Sequence, residues 1–263
     1  MRMERVRAKK SLGQHFLKDA KIAQSIVESL SHTGYQNVLE IGPGTGALTR
    51  FLFQQDDYHT KLIEIDRVSV GYLKNLFPDH ADQIIEGDFL QLDFPFFFQE
   101  PFAIIGNFPY NISSQILFKV LENRSLVPEV IGMFQKEVGV RIASKPGNKE
   151  YGILSVLMQA FYDVELLFLL DEKEFIPPPK VKSAVLRFRA KQNQVLACDE
   201  KLFFKIVKAA FNQRRKMLRN ALSQFINESK KETIPYLDKR AETLSWQQFV
   251  ELTVLLKAGK GEL

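Results

Sequence analysis

The chain has 263 residues, 45% of them hydrophobic and 25% charged, which is typical of a soluble globular protein with room for a large domain and a small one. Its single cysteine excludes an internal disulfide, and four scattered histidines lack metal-ligand spacing, which argues against a zinc site. No apolar run reaches the length of a membrane span, and the N-terminus is basic rather than apolar. We therefore expect a cytoplasmic protein with no metal and no membrane association.

Basic residues are concentrated at the two ends of the chain. The net charge is +5, but residues 189–263 contain fifteen Lys and Arg against eight Asp and Glu, a net +7. Residues 1–188 contain twenty-one against twenty-three, a net −2. The N-terminal basic cluster consists of Arg2, Arg5, Arg7, Lys9 and Lys10. This distribution predicts a polyanionic partner.

Short apolar runs alternate with helix-like stretches along most of the chain. Strands are predicted at residues 38–41, 61–65, 83–86, 102–105, 130–134, 164–170 and 184–188. Helices are predicted at residues 20–30, 48–54, 68–76, 113–122 and 152–161. The alternation predicts an α/β fold with a parallel, doubly wound sheet.

The pattern changes near residue 190. The run Pro177-Pro178-Pro179 predicts a stiff extended segment, because proline is excluded from a helix interior. Beyond Arg189 the apolar spacing is helical, and no further strand is predicted. We place a boundary at residues 189–198, with a sheet domain at 1–190 and a basic helical domain at 191–263.

A glycine-rich turn follows the first predicted strand. Residues 40–47 are E-I-G-P-G-T-G-A, in which Gly42 and Gly44 allow main chain to approach a ligand closely. The segment also satisfies the relaxed dinucleotide pattern G-x-G-x-x-A, which alone is a weak signal. Glu40 precedes the first glycine by two residues, where a carboxylate opposes a pyrophosphate but favours a cationic ammonium or sulfonium.

Acidic residues follow the next two predicted strands. An acid about twenty residues after the glycines suits ribose hydroxyls, and Glu64 and Asp66 both satisfy this geometry because they share a strand face. Asp88, after the third strand, is suited to accept from an adenine amino group. Ligands bind at the carboxyl edge of such a sheet, where the strand order reverses. In the usual order the first and fourth strands flank this point, so the glycine turn should face Asn107.

The segment Asn107-Phe108-Pro109-Tyr110 follows the fourth predicted strand. It places an amide, a rigid turn and an aromatic ring at the carboxyl end of a buried strand. The amide oxygen and a main-chain carbonyl of the turn can accept from an exocyclic amino group, and the tyrosine ring can stack on a base. These residues predict a site that holds the amino group of an aromatic base.

With these motifs assembled, the chain resembles the KsgA family of ribosomal RNA adenine dimethyltransferases over nearly its whole length. The matching segments are residues 12–17, 40–49, 63–66, 87–88, 106–113, 135–138, 151–152, 175–185 and 211–220. The resemblance implies a class I methyltransferase fold, in which a Rossmann-like doubly wound sheet is joined to a small all-helical C-terminal domain. It also implies S-adenosylmethionine as cofactor.

The family's cofactor contacts correspond to His15, Leu17, Gly42, Glu64, Asp88 and Asn107 of this chain. Two positions depart from the family pattern. Family members often have Asn where this chain has His15, and Leu is usual where it has Phe108. We expect the second change to be tolerated, because that residue offers its main chain.

The resemblance further implies a substrate, namely two adjacent adenosines near the 3′ end of 16S rRNA in an assembling 30S particle, each dimethylated on N6. The N6 lone pair is delocalised into the ring, so we expect Asn107 and the main chain of Phe108 and Pro109 to hold its hydrogens and favour a tetrahedral nitrogen. The target base must leave its stack. Tyr110 is the expected stacking partner and Phe175 the expected second wall.

Basic residues outside this turn are expected to bind RNA phosphates. Residues 211–220 predict a helix with Arg215 and Arg219 on one face and Arg214 beside them. Lys180 is expected to extend this track, together with Lys9, Lys10 and Lys182.

Three alternatives stay open. An Erm-type methyltransferase of 23S rRNA would share the cofactor site, although residues 175–183 and 211–220 favour the KsgA type. A non-catalytic RNA-binding assembly factor would not require intact Asn107, Tyr110 and glycine turn. A NAD-dependent oxidoreductase would leave the basic C-terminal part unexplained. We expect a monomer.

Overall fold

The computed structural model describes residues 6–192 and 195–259. Of the basic residues near the N-terminus, Arg7, Lys9 and Lys10 fall in this part of the chain, whereas Arg2 and Arg5 lie outside the described residues. Within the described ranges, no helix has both the length and the apolar character that crossing a membrane requires.

The strands form where the sequence has short apolar runs, and every predicted strand overlaps one of them. Two further pieces of two residues each, too short for a periodic signal, were not predicted. In chain order the strands are β1 (Phe16–Leu17), β2 (Asn37–Ile41), β3 (His59–Glu64), β4 (Ile84–Glu86), β5 (Phe102–Asn107), β6 (Glu129–Gln135), β7 (Tyr162–Leu170), β8 (Phe175–Ile176) and β9 (Ser183–Ala190).

The helices likewise include the five predicted between residues 20 and 161, with ends that differ by a few residues. The helices are α1 (Ala20–Val27), α2 (Thr49–Leu52), α3 (Arg67–Leu76), α4 (Phe94–Phe97), α5 (Ser113–Glu122), α6 (Lys136–Ala143), α7 (Ile153–Phe161), α8 (Glu200–Asn212), α9 (Leu218–Ala221) and α10 (Trp246–Gly259).

The described residues form a seven-stranded sheet with the order β4-β3-β2-β5-β6-β9-β7. β2 pairs in parallel with both β3 and β5, and β5 pairs in parallel with β6. The doubly wound α/β class is therefore confirmed. β9 runs antiparallel to β6, which strand-helix alternation did not predict, and such an antiparallel strand is common on an otherwise parallel sheet.

The middle of the sheet is buried on both faces. Phe102, Ala103, Ile104 and Ile105 of β5 are each 0% exposed, although successive side chains of a strand point to opposite faces. Burial on both faces explains why this strand is an unbroken apolar run rather than an alternating one. The strand order reverses between β2 and β5, so their carboxyl ends flank the position where such sheets bind ligands.

The chain forms two compact units. The first contains the sheet and consists of described residues up to 139 together with 164–190. The second consists of residues 140–163 and the described residues from 191 onward. It is built on α7, α8 and α10, with the Phe211 ring 6.2 Å from Tyr151 and 6.0 Å from Phe249. The sequence prediction assigned residues 140–163 to the sheet domain because they lie between two predicted strands, and the structure differs on this segment.

Candidate active site

A cavity of about 230 Å³ lies at the carboxyl ends of the strands in the first unit. Glu40 of β2 is paired with Ile105 of β5, so the glycine turn and Asn107 leave adjacent strands, as the predicted strand order requires. The lining includes most of the predicted site residues, namely His15, Gly42, Gly44, Glu64, Asp88, Asn107, Phe108, Pro109 and Tyr110.

The glycine turn requires glycine for two reasons at Gly44. Its φ of +56° lies in the left-handed region, which side chains disfavour. A Cβ atom there would also lie 2.6 Å from the ring of Phe16, closer than real side-chain contacts allow. The Gly44 N–H donates to Glu64 Oε2 at 3.0 Å, so the turn and the end of β3 are joined directly.

Glu64 is the acid at the end of β3 that faces the cavity. Its other carboxylate oxygen, Oε1, accepts from the Asp66 N–H at 2.9 Å. Burial raises the pKa of Glu64, while the hydrogen bonds from the Asp66 and Gly44 N–H groups act in the opposite direction. Because each carboxylate oxygen has a second lone pair, both can still accept from vicinal hydroxyls.

Asp66, the other acid that the sequence allowed for this role, is used elsewhere. Its carboxylate caps helix α3 by accepting from the Val68 N–H at 3.1 Å. Lys9 Nζ lies 2.6 Å from the same oxygen, Oδ1. Burial alone would raise the pKa of Asp66, but the hydrogen bonds from Lys9 and the Val68 N–H and the positive charge of Lys9 lower it. Asp66 therefore anchors the N-terminal segment and does not line the cavity.

Glu40 does not face a ligand, contrary to our expectation of a carboxylate beside a cationic group. It is 2% exposed, and its Oε2 accepts from Thr49 Oγ1 at 2.7 Å below the glycine turn. Burial raises the pKa of Glu40 to about 8, a shift that the Thr49 hydrogen bond opposes and Glu64 reinforces. This carboxyl group joins the turn to α2 instead of reaching the cavity.

Asp88 stands at the far side of the cavity, directly after β4. Its Oδ1 accepts from the Leu90 N–H at 2.9 Å, which begins the short turn that follows. Its Oδ2 has no hydrogen-bond partner among the described residues, so it can accept from a ligand amino group. Ile65 and Leu90 contribute apolar surface beside it, as a flat aromatic base requires.

Asn107 is oriented by the main chain of the N-terminal segment. Its Nδ2 donates to the carbonyl oxygen of His15 at 2.6 Å. A carbonyl oxygen only accepts, so the amide must present its NH2 group to His15 and its Oδ1 in another direction. The arrangement leaves Asn107 Oδ1 as an oriented acceptor at the edge of the cavity.

Phe108 is an anchor whose side chain is 1% exposed. Its ring packs edge-on against Phe134, with ring centroids 5.4 Å apart. Gly132 makes room for it, because a Cβ at that position would lie 2.5 Å from the Phe108 ring. The larger side chain is thus accommodated inside the sheet, in keeping with a role for the Phe108 main chain at the cavity.

The N-terminal segment of residues 9–18, which we call the strap, closes one wall of the cavity. Phe16 and Leu17 pair with Ile176 and Phe175 as the antiparallel strands β1 and β8. His15 Nδ1 donates to the Pro177 carbonyl oxygen at 2.7 Å, which ties the strap to the proline run.

Leu17 and Phe175 face away from the cavity. Leu17 is 7% exposed and Phe175 is 1% exposed, and both belong to the hydrophobic core of the first unit. Phe175 therefore does not form the second wall of a base site, contrary to our prediction, because its register opposite Leu17 turns the ring into the core. Because the Leu17 side chain lies in the core, only its main chain could contact a cofactor.

Tyr110 does line the cavity, and it is held from two sides. Tyr110 Oη lies 2.5 Å from Ser183 Oγ. The His15 ring stacks on Tyr110 with centroids 5.7 Å apart. Burial raises the pKa of Tyr110, although the Ser183 hydrogen bond acts in the opposite direction.

The predicted RNA-binding helix at residues 211–220 is interrupted. Helix α8 ends at Asn212, and α9 begins only at Leu218, whose N–H donates to the Lys239 carbonyl oxygen at 2.8 Å. The prediction that Arg215 and Arg219 share one helix face is therefore wrong, although both side chains are exposed.

Two further predicted RNA-binding residues, Arg214 and Lys180, differ from each other. Arg214 Nε lies 3.7 Å from Glu242 Oε2, and its guanidinium also donates to the Lys149 carbonyl oxygen. The charge of Arg214 is thus engaged within the second unit. Lys180 is exposed in the first unit. Among the residues that the structure describes, no cluster of three or more His, Cys, Asp or Glu side chains could hold a metal ion.

Sequence reasoning missed the residues that support this site. Ser183 carried a signal, since it is a small polar residue directly before an apolar strand. Gly132 carried another, since a glycine inside a buried strand indicates a close approach of neighbouring groups. The ion pair of Lys9 with Asp66 had no sequence signal, because it joins residues 57 positions apart.

Comparison with known proteins gives a consistent assignment. The family model described as ribosomal RNA adenine dimethylase matches residues 5–257. Ribosomal RNA small subunit methyltransferase A of Cytophaga hutchinsonii is 57% identical, over 97% of this chain and 99% of that protein. The protein of the same name from Flavobacterium johnsoniae is 54% identical, over 97% of this chain and 98% of that protein.

Two solved structures have the same fold over most of their length. A dimethyladenosine transferase from Plasmodium falciparum gives a TM-score of 0.80 at 23% identity, covering 94% of this chain and 98% of that chain. The 23S rRNA methyltransferase ErmE gives a TM-score of 0.73 at 25% identity, covering 92% and 99%. The Rossmann-like class I methyltransferase fold with its helical C-terminal part is thereby confirmed. Together with the family match over nearly the whole sequence, these findings establish that the chain belongs to the ribosomal RNA adenine dimethylase family.

Proposed function

We propose that the protein is an S-adenosylmethionine-dependent rRNA (adenine-N6)-dimethyltransferase that modifies two adjacent adenosines near the 3′ end of 16S rRNA. The family match and the relatives at 57% and 54% identity support this reaction class and this subunit. The single observation that carries the chemistry is the orientation of Asn107, whose NH2 group is bound by His15 so that Oδ1 is presented as an acceptor.

The residues around the cavity fit S-adenosylmethionine by their chemistry. Glu64 suits two ribose hydroxyls, Asp88 suits an adenine amino group, and Ile65 and Leu90 offer apolar surface to the base. The glycine turn, with no side chain at Gly44, leaves the main chain accessible beside them. When bound, the cofactor supplies a methyl group made electrophilic by its sulfonium centre.

The protein's part in catalysis is placement of the target nitrogen. Asn107 Oδ1 and a main-chain carbonyl of the turn at Phe108 and Pro109 accept the two N6 hydrogens. Holding both hydrogens on one side favours a tetrahedral nitrogen with its lone pair aimed at the methyl group. Tyr110 stacks on the extruded base, a contact worth roughly 1–3 kcal/mol. Most of the rate enhancement then comes from orientation and electrostatics.

The RNA is held by basic side chains away from this site. Arg215 and Arg219 in the second unit and Lys180 in the first are exposed and suited to phosphates, whereas Arg214 is engaged with Glu242. RNA helices are recognised mainly by shape and backbone, so we assign the specificity to the assembling 30S particle that contains the 16S rRNA. The enzyme acts as a monomer, and we place it in the cytoplasm with its substrate.

The test is transfer of tritiated methyl groups from S-adenosylmethionine to undermethylated small ribosomal subunits, with large subunits in parallel. We expect close to four methyl groups per small subunit, recovered as N6-dimethyladenosine, and none on the large subunit.

Two other outcomes would favour the alternatives. Label confined to 23S rRNA would indicate an Erm-type enzyme, although the resemblance to ErmE at 25% identity is much weaker than that to the small-subunit enzymes. Tight RNA binding without any label would indicate a non-catalytic assembly factor. A NAD-dependent oxidoreductase is not supported by the family match.

A further inference from the structure

The stacking tyrosine of the site is restrained by two side chains outside the turn, those of Ser183 and His15. Tyr110 Oη contacts Ser183 Oγ at 2.5 Å, at the first residue of β9. The His15 ring packs on Tyr110 with an interplanar angle of 26°. His15 is in turn held by the carbonyl oxygen of Pro177. The tyrosine is therefore restrained at its hydroxyl edge and on one ring face.

The burial of Ser183 makes its hydrogen bond to Tyr110 structurally necessary. Ser183 is 0% exposed, and its hydroxyl has no other hydrogen-bond partner among the described residues. Buried hydroxyls are almost always hydrogen-bonded, and both Ser and Tyr hydroxyls can donate or accept. The two hydroxyls therefore satisfy each other, and this hydrogen bond restrains the rotation of the Tyr110 ring in its plane whichever hydroxyl donates.

The stacking of His15 leaves one tyrosine face for a ligand. A base inserted between two aromatic rings needs about 7 Å between them, twice the 3.4 Å spacing of stacked bases. The 5.7 Å separation of His15 and Tyr110 is too small for such an insertion. Phe175 supplies no opposing wall, since its ring is in the core. The angle of the remaining Tyr110 face thus determines how a stacked base is presented to Asn107.

We propose that Ser183 is a positioning residue for methyl transfer, because its buried hydroxyl holds Tyr110 at the angle that presents the target base to Asn107. This inference rests on the proposed function, since it takes an extruded adenine as the ligand of Tyr110. It predicts that a substitution at Ser183 lowers kcat for methyl transfer to RNA and leaves cofactor binding unchanged.

The experiment compares Ser183→Ala with the wild-type enzyme on undermethylated small subunits, and it measures kcat, KM for S-adenosylmethionine and affinity for S-adenosylhomocysteine. We expect kcat to fall about tenfold or more, because displacements of the order of 1 Å cost up to about 100-fold in rate. Both cofactor parameters should stay within twofold of wild type. Ser183→Thr retains the hydroxyl and should recover most of the lost kcat.

Two further variants keep the test decisive. Tyr110→Phe removes the same hydrogen bond from the other end, so it should lose a similar factor, and the double variant should lose no more than either single one. Ser155→Ala is the matched control, because Ser155 is also 0% exposed but donates to the Arg141 carbonyl oxygen at 2.6 Å in the second unit. It should keep the wild-type kcat.

A Ser183→Ala enzyme with unchanged kcat would overturn the inference. The inference would also be overturned if Ser183→Ala lowered kcat and cofactor affinity by the same factor and Ser183→Thr restored neither. A wild-type enzyme that labels no small subunits would instead refute the proposed function.

Discussion

At the scale of single residues, the site depends on hydrogen bonds in which only one of the two groups can be the donor. Asn107 faces a carbonyl oxygen, which cannot donate, so the orientation of its amide is determined by His15. Glu64 accepts two main-chain N–H groups and keeps further acceptor capacity toward the cavity. Both polar groups are thus oriented before any ligand arrives, which is the condition for electrostatic catalysis.

Replacing Asn107 by alanine should leave a folded protein that binds RNA and has almost no methyl transfer. The variant loses the acceptor for N6, and the loss of one such preorganised group costs on the order of 10²–10³ in kcat. The measurement is single-turnover methyl transfer alongside RNA binding. Asn123→Ala is the control, because Asn123 Nδ2 only donates to the Lys119 carbonyl oxygen at the end of α5. Near-normal transfer by Asn107→Ala would refute the assigned role.

Glu40 should make the protein less stable as the pH rises from about 4.5 to about 8. Burial raises its pKa to about 8, so in this window the folded state holds a proton that the unfolded state has lost. The slope for one such proton is at most about 1.4 kcal/mol per pH unit. Glu40→Gln keeps an acceptor for Thr49 and removes the proton, so it should be more stable than wild type at pH 8.

Urea unfolding of both proteins at pH 5 and pH 8 measures this difference, and the comparison cancels the titrating groups that do not interact with Glu40. The difference in the free energy of unfolding between Glu40→Gln and wild type should grow in favour of the variant from pH 5 to pH 8. An equal difference at both values would show that Glu40 does not titrate in this window.

At the scale of elements, the strap of residues 9–18 completes the cavity. One of its ends is held by the ion pair of Lys9 with Asp66, and the other by the pairing of β1 with β8. Between these points it supplies the His15 carbonyl oxygen that orients Asn107 and the Phe16 ring that covers Gly44. Since the strap forms part of the cavity wall, its detachment should assist the exchange of cofactor and product.

Replacing Lys9 by glutamine should speed the dissociation of S-adenosylhomocysteine several-fold, because the change removes the cation that pairs with the buried Asp66 carboxylate. Stopped-flow displacement measures this rate. Lys10→Gln makes the same change at the neighbouring residue, for which the described structure contains no ion pair, and should leave the rate unchanged. Equal rates for the two variants would show that the ion pair does not hold the strap.

The elements that could be predicted from the sequence are those with a strong local pattern. The apolar run at Phe102 and the glycine turn after β2 identified two adjacent strands, and their neighbouring ends followed from the usual strand order. The strands β1 and β8 were missed because two residues carry no periodicity. The continuous helix expected at residues 211–220 was wrong because tertiary bonds to the Lys239 and Leu237 carbonyl oxygens interrupt it.

Parts of the candidate site could be predicted equally well. Glu64, Asp88, Asn107 and Tyr110 were expected to converge because each lies at or just after the carboxyl end of a strand, and all four line the cavity. Phe175 was misassigned because an aromatic residue beside a proline run gives no indication of which way its ring turns. Such orientation depends on cross-strand register, which a single sequence does not specify.

At the scale of the whole molecule, charge is separated along the chain. Residues 189–263 carry a net +7, whereas residues 1–188 carry a net −2. Most of the residues in the basic part belong to the second unit, while the candidate active site lies in the first. We therefore expect substitutions in the basic part to change the affinity for RNA more than the methyl transfer itself.

Replacing Arg215 and Arg219 together by glutamine should reduce the salt dependence of RNA binding. Each lost phosphate contact should lower the slope of log K against log salt by about one. Equilibrium binding from about 50 to 200 mM salt measures this slope. Arg214→Gln is the control, because that guanidinium is already paired with Glu242 and should leave the slope nearly unchanged. Equal slopes for wild type and the double variant would exclude these residues as phosphate contacts.

The long sequence separation of the strap from its partners has a consequence for biosynthesis. The His15 carbonyl oxygen is hydrogen-bonded to Asn107, 92 residues later, and the His15 ring is hydrogen-bonded to Pro177, 162 residues later. At a translation rate of roughly 5–20 residues per second, its last partner leaves the ribosome about 8 to 30 s after the strap itself. A nascent chain that stops short of β8 therefore carries the glycine turn and Asn107 but lacks the contacts that complete the cavity. We therefore expect the cavity to be completed only late in synthesis, after β8 has left the ribosome.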